Sequence, residues 1–196
     1  MVHLNQLYQS FIFEGYYSEI FGGTSNLIRN ISSFIVIATK GILMAISPTT
    51  SASELQQELE RLKKLYHRHC LFSNNPPVSN LKFEFQENGN LQTSATFKDT
   101  HQGYDERVHG GLIAAIIDAS MTQCLMGHSI IAYTVELSVR YLEPITLHKV
   151  TTFETVITSE NKGQIFTLKC LVKQDSQTKA KGIAKFFGIF AELINR

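Results

Sequence analysis

From Leu112 to Ile117 the chain reads Leu-Ile-Ala-Ala-Ile-Ile, an unbroken apolar run, and Asp118 follows it directly. A helix through such a run is apolar on all sides and belongs inside a core. Only a layer that wraps around it meets that demand. A lone ionised carboxylate costs several kcal/mol to bury, so Asp118 there calls for a partner or a use, the plainer reading being a solvated or hydrogen-bonded Asp at a kink or helix edge. Ahead of the run stands Val108-His109-Gly110-Gly111, which puts a histidine and two glycines where a helix over 110–126 should begin. First-turn N–H groups have no partners within a helix and carry the positive end of its dipole. Backbone bared by Gly110 and Gly111 is therefore suited to a carbonyl oxygen that gains negative charge under attack. A glycine turn capped by His109 is the plainer reading of the same residues. His109 and Asp118 are nine positions apart, about 13 Å along a regular helix axis. Within one chain they cannot share a small group without a bend, which favours a site built between two chains.

The rest of the chain supplies the wrapping layer. Tyr133, Val135, Leu137, Val139 and Tyr141 alternate with Thr134, Glu136, Ser138 and Arg140, which predicts a half-buried strand ended by Pro144. Leu81, Phe83 and Phe85 alternate with Lys82, Glu84 and Gln86, Asn88-Gly89 marks a hairpin turn, and Leu91, Thr93, Ala95 and Phe97 continue a second strand. Further strands are expected over 151–158, 164–173 and 180–190, with turns at Asn161-Lys162-Gly163 and Asp175-Ser176 and with bends at Gly182 and Gly188. Upstream, Ser47-Pro48-Thr49-Thr50-Ser51 reads as a linker, and Ser53 is expected to cap a helix with Leu55, Leu59, Leu62 and Tyr66 on one stripe. One long apolar helix among five or six antiparallel strands is an α+β arrangement with the sheet curled around the helix. The division expected is an N-terminal helical extension and linker over 1–51 and a main domain over 52–196.

Charge and cysteine usage narrow the class. A formal net charge of +1 gives no pull toward phosphate backbones, so no nucleic-acid partner is expected. Three cysteines, Cys70, Cys124 and Cys170, are too few and odd in number for a disulfide framework, which implies a reducing, cytoplasmic setting. The seven histidines form no ligand constellation, so no metal is expected. The apolar stretch 34–46 contains Lys40 and falls short of the roughly 20 residues that span a bilayer, so no transmembrane segment is expected.

His101-Gln102-Gly103-Tyr104, then His109-Gly110-Gly111 with Asp118, then Arg140-Tyr141-Leu142-Glu143-Pro144, follow one another in an order and spacing that resemble the hotdog-fold acyl-CoA thioesterases, in particular the phenylacetate-pathway (PaaI-like) branch, over about 66–192. The resemblance implies hydrolysis of acyl-CoA to free acid and CoA by a homodimer or homotetramer with shared active sites and no cofactor. Asp118 would be the general base or nucleophile, the Gly111 N–H would polarise the thioester carbonyl beside Gly110, His109 would position that carbonyl or the turn, and Thr134 would orient the water. Where some relatives carry Asn six residues before the histidine this chain has Gly103, with Gln102 as a substitute, and where some have Cys-x-x-Cys it has Cys70-Leu71-Phe72-Ser73. Arg140 is a candidate for the CoA phosphates, against a cross-strand role with Glu136. Met121, with Leu125 and Met126, is a candidate lining of an acyl tunnel, against plain core. A non-catalytic acyl-CoA-binding module is the main alternative, and a hotdog dehydratase a weaker one. The stretch 19–31 resembles the closing segment of an acyl-CoA dehydrogenase.

Overall fold

The computed structural model describes residues 50–74, 78, 81–161 and 164–191; the dehydrogenase-like stretch, the apolar segment 34–46 and the rest of the N-terminal extension through residue 49 lie outside them. Helix α1 (Ala52–Tyr66) opens on a capping box in which Ser51 accepts from the Glu54 N–H and Glu54 reaches back to the Ser51 N–H. The cap is thus Ser51 and not Ser53, whose hydroxyl faces Gln57 from within the first turn. Leu55, Leu59 and Leu62 are fully buried, as the helical stripe requires. A short helix α2 (Leu71–Asn74) follows.

Eight strands come next in chain order: β1 (Lys82–Phe85), β2 (Leu91–Thr96), β3 (Gln102–Tyr104), β4 (Arg107–Val108), β5 (Ile130–Tyr141), β6 (Val150–Asn161), β7 (Ile165–Gln174) and β8 (Gln177–Phe190), with helix α3 (Gly110–Gly127) between β4 and β5. Six of them form one antiparallel sheet in the order β1-β2-β6-β7-β8-β5, and β3 pairs with β4 apart from it. The predicted hairpin joins β1 to β2, with Gly89 at φ +78° and the Asn88 side chain accepting from the Asn90 N–H; the left-handed φ is what calls for glycine there. Asp175 and Ser176 turn β7 into β8 with φ of +51° and +63°, the handedness a tight two-residue hairpin needs. The small β3–β4 hairpin had no signal in the apolar pattern, because none of Gln102, Gly103 and Tyr104 is buried.

Helix α3 crosses one face of this sheet and touches β2, β5, β6, β7 and β8, with α1 covering part of it. Phe153, Phe166, Leu168 and Phe186, all fully buried, belong to the same core cluster as the buried side chains of α3, each contributing roughly 1.5–3 kcal/mol. Between the layers, Ser120 Oγ lies 2.7 Å from the Ile116 carbonyl and 2.9 Å from Thr93 Oγ1, so two buried hydroxyls satisfy each other. Among the described residues α3 is the helix long and apolar enough to cross a membrane, and most of it is buried in this core. Gly182 and Gly188 lie within β8. Both pair with β5, Gly182 opposite Val139 and Gly188 opposite Ala132, and make room: a Cβ at Gly182 would sit 2.6 Å from Ile117 Cγ2, and one at Gly188 2.7 Å from Ile130 Cγ2.

The helix departs from the sequence reading in one respect. Gly111, Leu112, Ala114, Ala115, Asp118 and Thr122 form a stripe that is only half-buried or exposed. The sheet wraps the other sides and leaves this one open.

Two consequences can be measured. Burial pushes the thiols of Cys124 and Cys170 up to about 12, so titration of the native protein with a thiol-reactive dye is expected to modify Cys70 first, with the other two reacting only on unfolding. His67, which ends α1, has its imidazole held below the usual range, by burial first and by the Lys63 charge second. Folding therefore favours the neutral ring, so its contribution is intact above about pH 6.5 and is lost as pH falls from there through the folded-state value. Denaturant midpoints measured from pH 7.5 to 5 should fall less steeply in His67→Gln than in the wild type.

Candidate active site

Two groups of chemistry-bearing residues lie at separate points along α3. The first is its N-terminus. β4 delivers the chain with the Val108 N–H bonded to the Ile145 carbonyl and the His109 N–H bonded to the His101 carbonyl, both at 2.9 Å. His109 then caps α3: its Nδ1 accepts from the Gly111 N–H at 3.0 Å. With Nδ1 accepting, the neutral ring carries its proton on Nε2. Gly111 is thus engaged in the chain itself, whereas the neighbouring Gly110 N–H makes no hydrogen bond among the described residues. Gly103 lies over this turn, where a Cβ would be 3.2 Å from His109 Cδ2. That crowding is a physical reason for glycine at this position.

The second group sits two and a half turns on. Thr134 Oγ1 donates to Asp118 Oδ1 at 2.7 Å, so the half-buried carboxylate has the partner that its apolar setting demanded. The contact depends on an irregularity. Thr134 is opposite Phe186 of β8, and the next pair is Glu136 with Lys185, so Val135 is an extra residue, a β-bulge. Before the bulge Thr134 faces α3; beyond it Leu137, Val139 and Tyr141 do, opposite Ala184, Gly182 and Ala180. The single apolar face predicted for Tyr133 to Tyr141 is therefore split. Tyr133 and Val135 are exposed, at 43% and 58%.

A third residue was missed by the sequence reading as a site residue. The Tyr141 hydroxyl donates to the Gly110 carbonyl at 2.7 Å and ties the end of β5 to the start of α3. Burial of the ring pushes its phenol up from the ordinary value, so it stays protonated. The available signal was a tyrosine closing an otherwise apolar strand face, since a tyrosine hydroxyl brought against a helix needs a partner. The remaining candidates are not gathered with these. Gln102 is exposed on β3 and Arg140 is exposed on β5, opposite Lys181. Glu136 takes Lys185 at 2.8 Å, which removes the proposed Arg140–Glu136 pairing. Met121 is fully buried against the sheet, within 3.4 Å of the Cβ position of Gly182, and Leu125 and Met126 are buried with it; these are core residues in this chain. Among the described residues no group of three or more His, Cys, Asp and Glu side chains is placed to hold a metal.

An antiparallel sheet curled on a long central helix, with a glycine turn at the helix start and an acid within it, defines the hotdog class. Residues 106–181 match the family model described as the thioesterase superfamily, a span that holds His109, Asp118, Thr134 and Tyr141. The fold is similar to that of the Escherichia coli PaaI protein from the phenylacetic acid degradation operon, with a TM-score of 0.60 and 13% identity over 71% of this chain and 96% of that one. It is similar to thioesterase superfamily member 2 from Mus musculus, with a TM-score of 0.55 and 16% identity over 68% and 96% of the two chains. A hypothetical thioesterase from Streptococcus pneumoniae, solved with coenzyme A, matches with a TM-score of 0.53 and 15% identity over 57% of this chain and 90% of that one. The same protein matches in two mutant forms, one with an aspartate and one with a threonine replaced by alanine. Comparison with curated protein sequences gave no match. The match to the thioesterase superfamily thus spans residues 106–181, and the fold is the one these hotdog structures share.

Proposed function

We propose that this protein is an acyl-CoA thioesterase of the PaaI-like kind, with Asp118 as general base or nucleophile. The observation that carries the reading is the 2.7 Å hydrogen bond from Thr134 to Asp118, which a bulge in β5 makes possible. The aspartate and the threonine replaced in the Streptococcus pneumoniae mutants stand sixteen positions apart, the separation of Asp118 and Thr134 here. That neighbour's coenzyme A supports a CoA ester as the ligand.

A thioester is already activated, so the site needs a placed water, a base and a donor for the developing oxyanion. Thr134 leaves one oxygen of Asp118 free to take a proton from water. The water oxygen bonds to the carbonyl carbon, the carbonyl oxygen becomes an oxyanion, and its collapse breaks the C–S bond. Asp118 returns the proton to the departing CoA sulfur. The oxyanion accepts from the Gly110 N–H and, once the His109 ring yields it, from the Gly111 N–H. The N-terminus of α3 and Asp118 lie about 13 Å apart along one helix, so the carbonyl is held by one protomer and the water by its partner. A homodimer in which the open stripes of two α3 helices face each other supplies that geometry, with β5, the last strand in the order of the six-stranded sheet, alongside.

One observation favours acyl-CoA binding without hydrolysis: the Gly111 N–H is already taken by His109. Thiol release from CoA esters, acetyl to palmitoyl with phenylacetyl and benzoyl, separates the two. Hydrolysis by wild type that collapses in Asp118→Asn is the expected result; esters that bind but release no thiol in either protein would leave the binding module.

A further inference from the structure

We infer that Tyr141 is a positioning residue that strengthens the carbonyl-binding N–H of Gly111 through the peptide group it shares with Gly110; the inference rests on the thioesterase reading above. The Tyr141 hydroxyl donates to the Gly110 carbonyl oxygen at 2.7 Å. That oxygen and the Gly111 N–H are the two ends of one peptide unit, whose C–N bond has partial double-bond character. A donor on the oxygen draws density from the nitrogen and makes its N–H a better donor, an effect of about 10–30% per linked bond.

The arrangement forms a chain of hydrogen bonds from the Tyr141 hydroxyl through the Gly110–Gly111 peptide to His109 Nδ1, with links of 2.7 and 3.0 Å. When a thioester carbonyl replaces the imidazole at the end of this chain, the polarisation acts on the oxygen that becomes negative. The stabilisation grows as charge develops, so it acts on the transition state more than on bound substrate. Tyr141 can do this because β5 faces α3 with Leu137, Val139 and Tyr141 beyond its bulge. Its ring lies flat enough on the turn that a Cβ on Gly110 would rest 3.5 Å from both Cζ and the hydroxyl oxygen, ordinary contact. The hydroxyl is therefore aimed by the sheet and does not depend on glycine at Gly110 for room.

A structural tie between β5 and α3 would use the same bond, so the test must tell the two apart. Tyr141→Phe keeps the ring and removes the donor. Removing an oxyanion donor outright lowers rate about 100- to 1,000-fold; weakening one should lower kcat roughly 3- to 10-fold with KM little changed. The second readout is the infrared carbonyl stretch of a bound acyl-CoA analogue, ¹³C-labelled at the carbonyl, in which methylene replaces the thioester sulfur. Wild type is expected to shift that stretch to lower frequency than in water, and Tyr141→Phe to shift it less. A variant with wild-type kcat and stretch overturns the inference. So does one that loses melting temperature, or raises KM, with the stretch unmoved, since that is the signature of a tie alone. The stretch is read without turnover: absence of thiol release by wild type would sink the hydrolase reading and leave this inference to the spectrum. Failure of the analogue to bind wild type would overturn both.

Discussion

Asp118→Asn is expected to lower kcat for the preferred CoA ester by about 100- to 10,000-fold, the range for loss of a positioned general base, with melting temperature and ester binding nearly unchanged. The substitution is close to isosteric. An asparagine Oδ1 still accepts from Thr134 Oγ1, so the 2.7 Å contact and the β5–α3 packing around it survive. What disappears is an oxygen able to take a proton or attack a carbonyl. Thr134→Val is the companion: it leaves the carboxylate in place and removes its partner, so a smaller fall in kcat is expected, together with some loss of stability from the unpaired acceptor. Thiol release under single-turnover conditions, beside equilibrium binding of a non-hydrolysable analogue, separates the two effects. An Asp118→Asn protein that hydrolyses at the wild-type rate would remove the base assigned here.

The largest structural effect is expected from Gly127→Ala. Gly127 ends α3, is buried, and carries an ordinary helical-side φ, so backbone strain is not the issue. Space is. A Cβ there would overlap the Phe85 ring, and the Leu55 carbonyl lies 3.2 Å from the same point. Phe85 in turn is buried and stacks edge-on with His128 at 5.8 Å between ring centroids, so it has little freedom to retreat. Overpacking of this kind costs typically 1–3 kcal/mol, roughly 2–12 °C in melting temperature for a domain of this size. Chemical denaturation of Gly127→Ala and of the double variant with Phe85→Leu checks the assignment. The smaller side chain should restore part of the loss, because residues in contact are coupled; an unaltered midpoint in the single variant would show that the Phe85 side yields freely.

The fold was legible from the apolar pattern to the extent that the pattern had one solution. An apolar run from Leu112 to Ile117 needs a layer around it, and alternating strands such as Phe83 and Phe85, or Phe166, Leu168 and Cys170, can form one. Turn residues placed the hairpins because a left-handed φ leaves few residues to choose from, as at Gly89. The β3–β4 hairpin left no trace, since exposed strands need no apolar period.

The site was legible only in part. Asp118 stood out because a carboxylate amid apolar residues is costly, and His109-Gly110-Gly111 because it bares a helix start. The sequence by itself therefore determined a core helix with an acid in it, a glycine turn at its head, and strands enough to wrap it. Tertiary structure decided what those groups meet. The bulge at Val135 shifts the strand parity by one and turns Thr134 toward Asp118; a period-2 pattern read along the chain cannot show an inserted residue, because a bulge is defined by the partner strand. Tyr141 reaches Gly110 across 31 positions, and His109 closes on Gly111 through a ring orientation. Hydrogen bonds are short-ranged and directional, so which of them form is fixed by packing and not by composition.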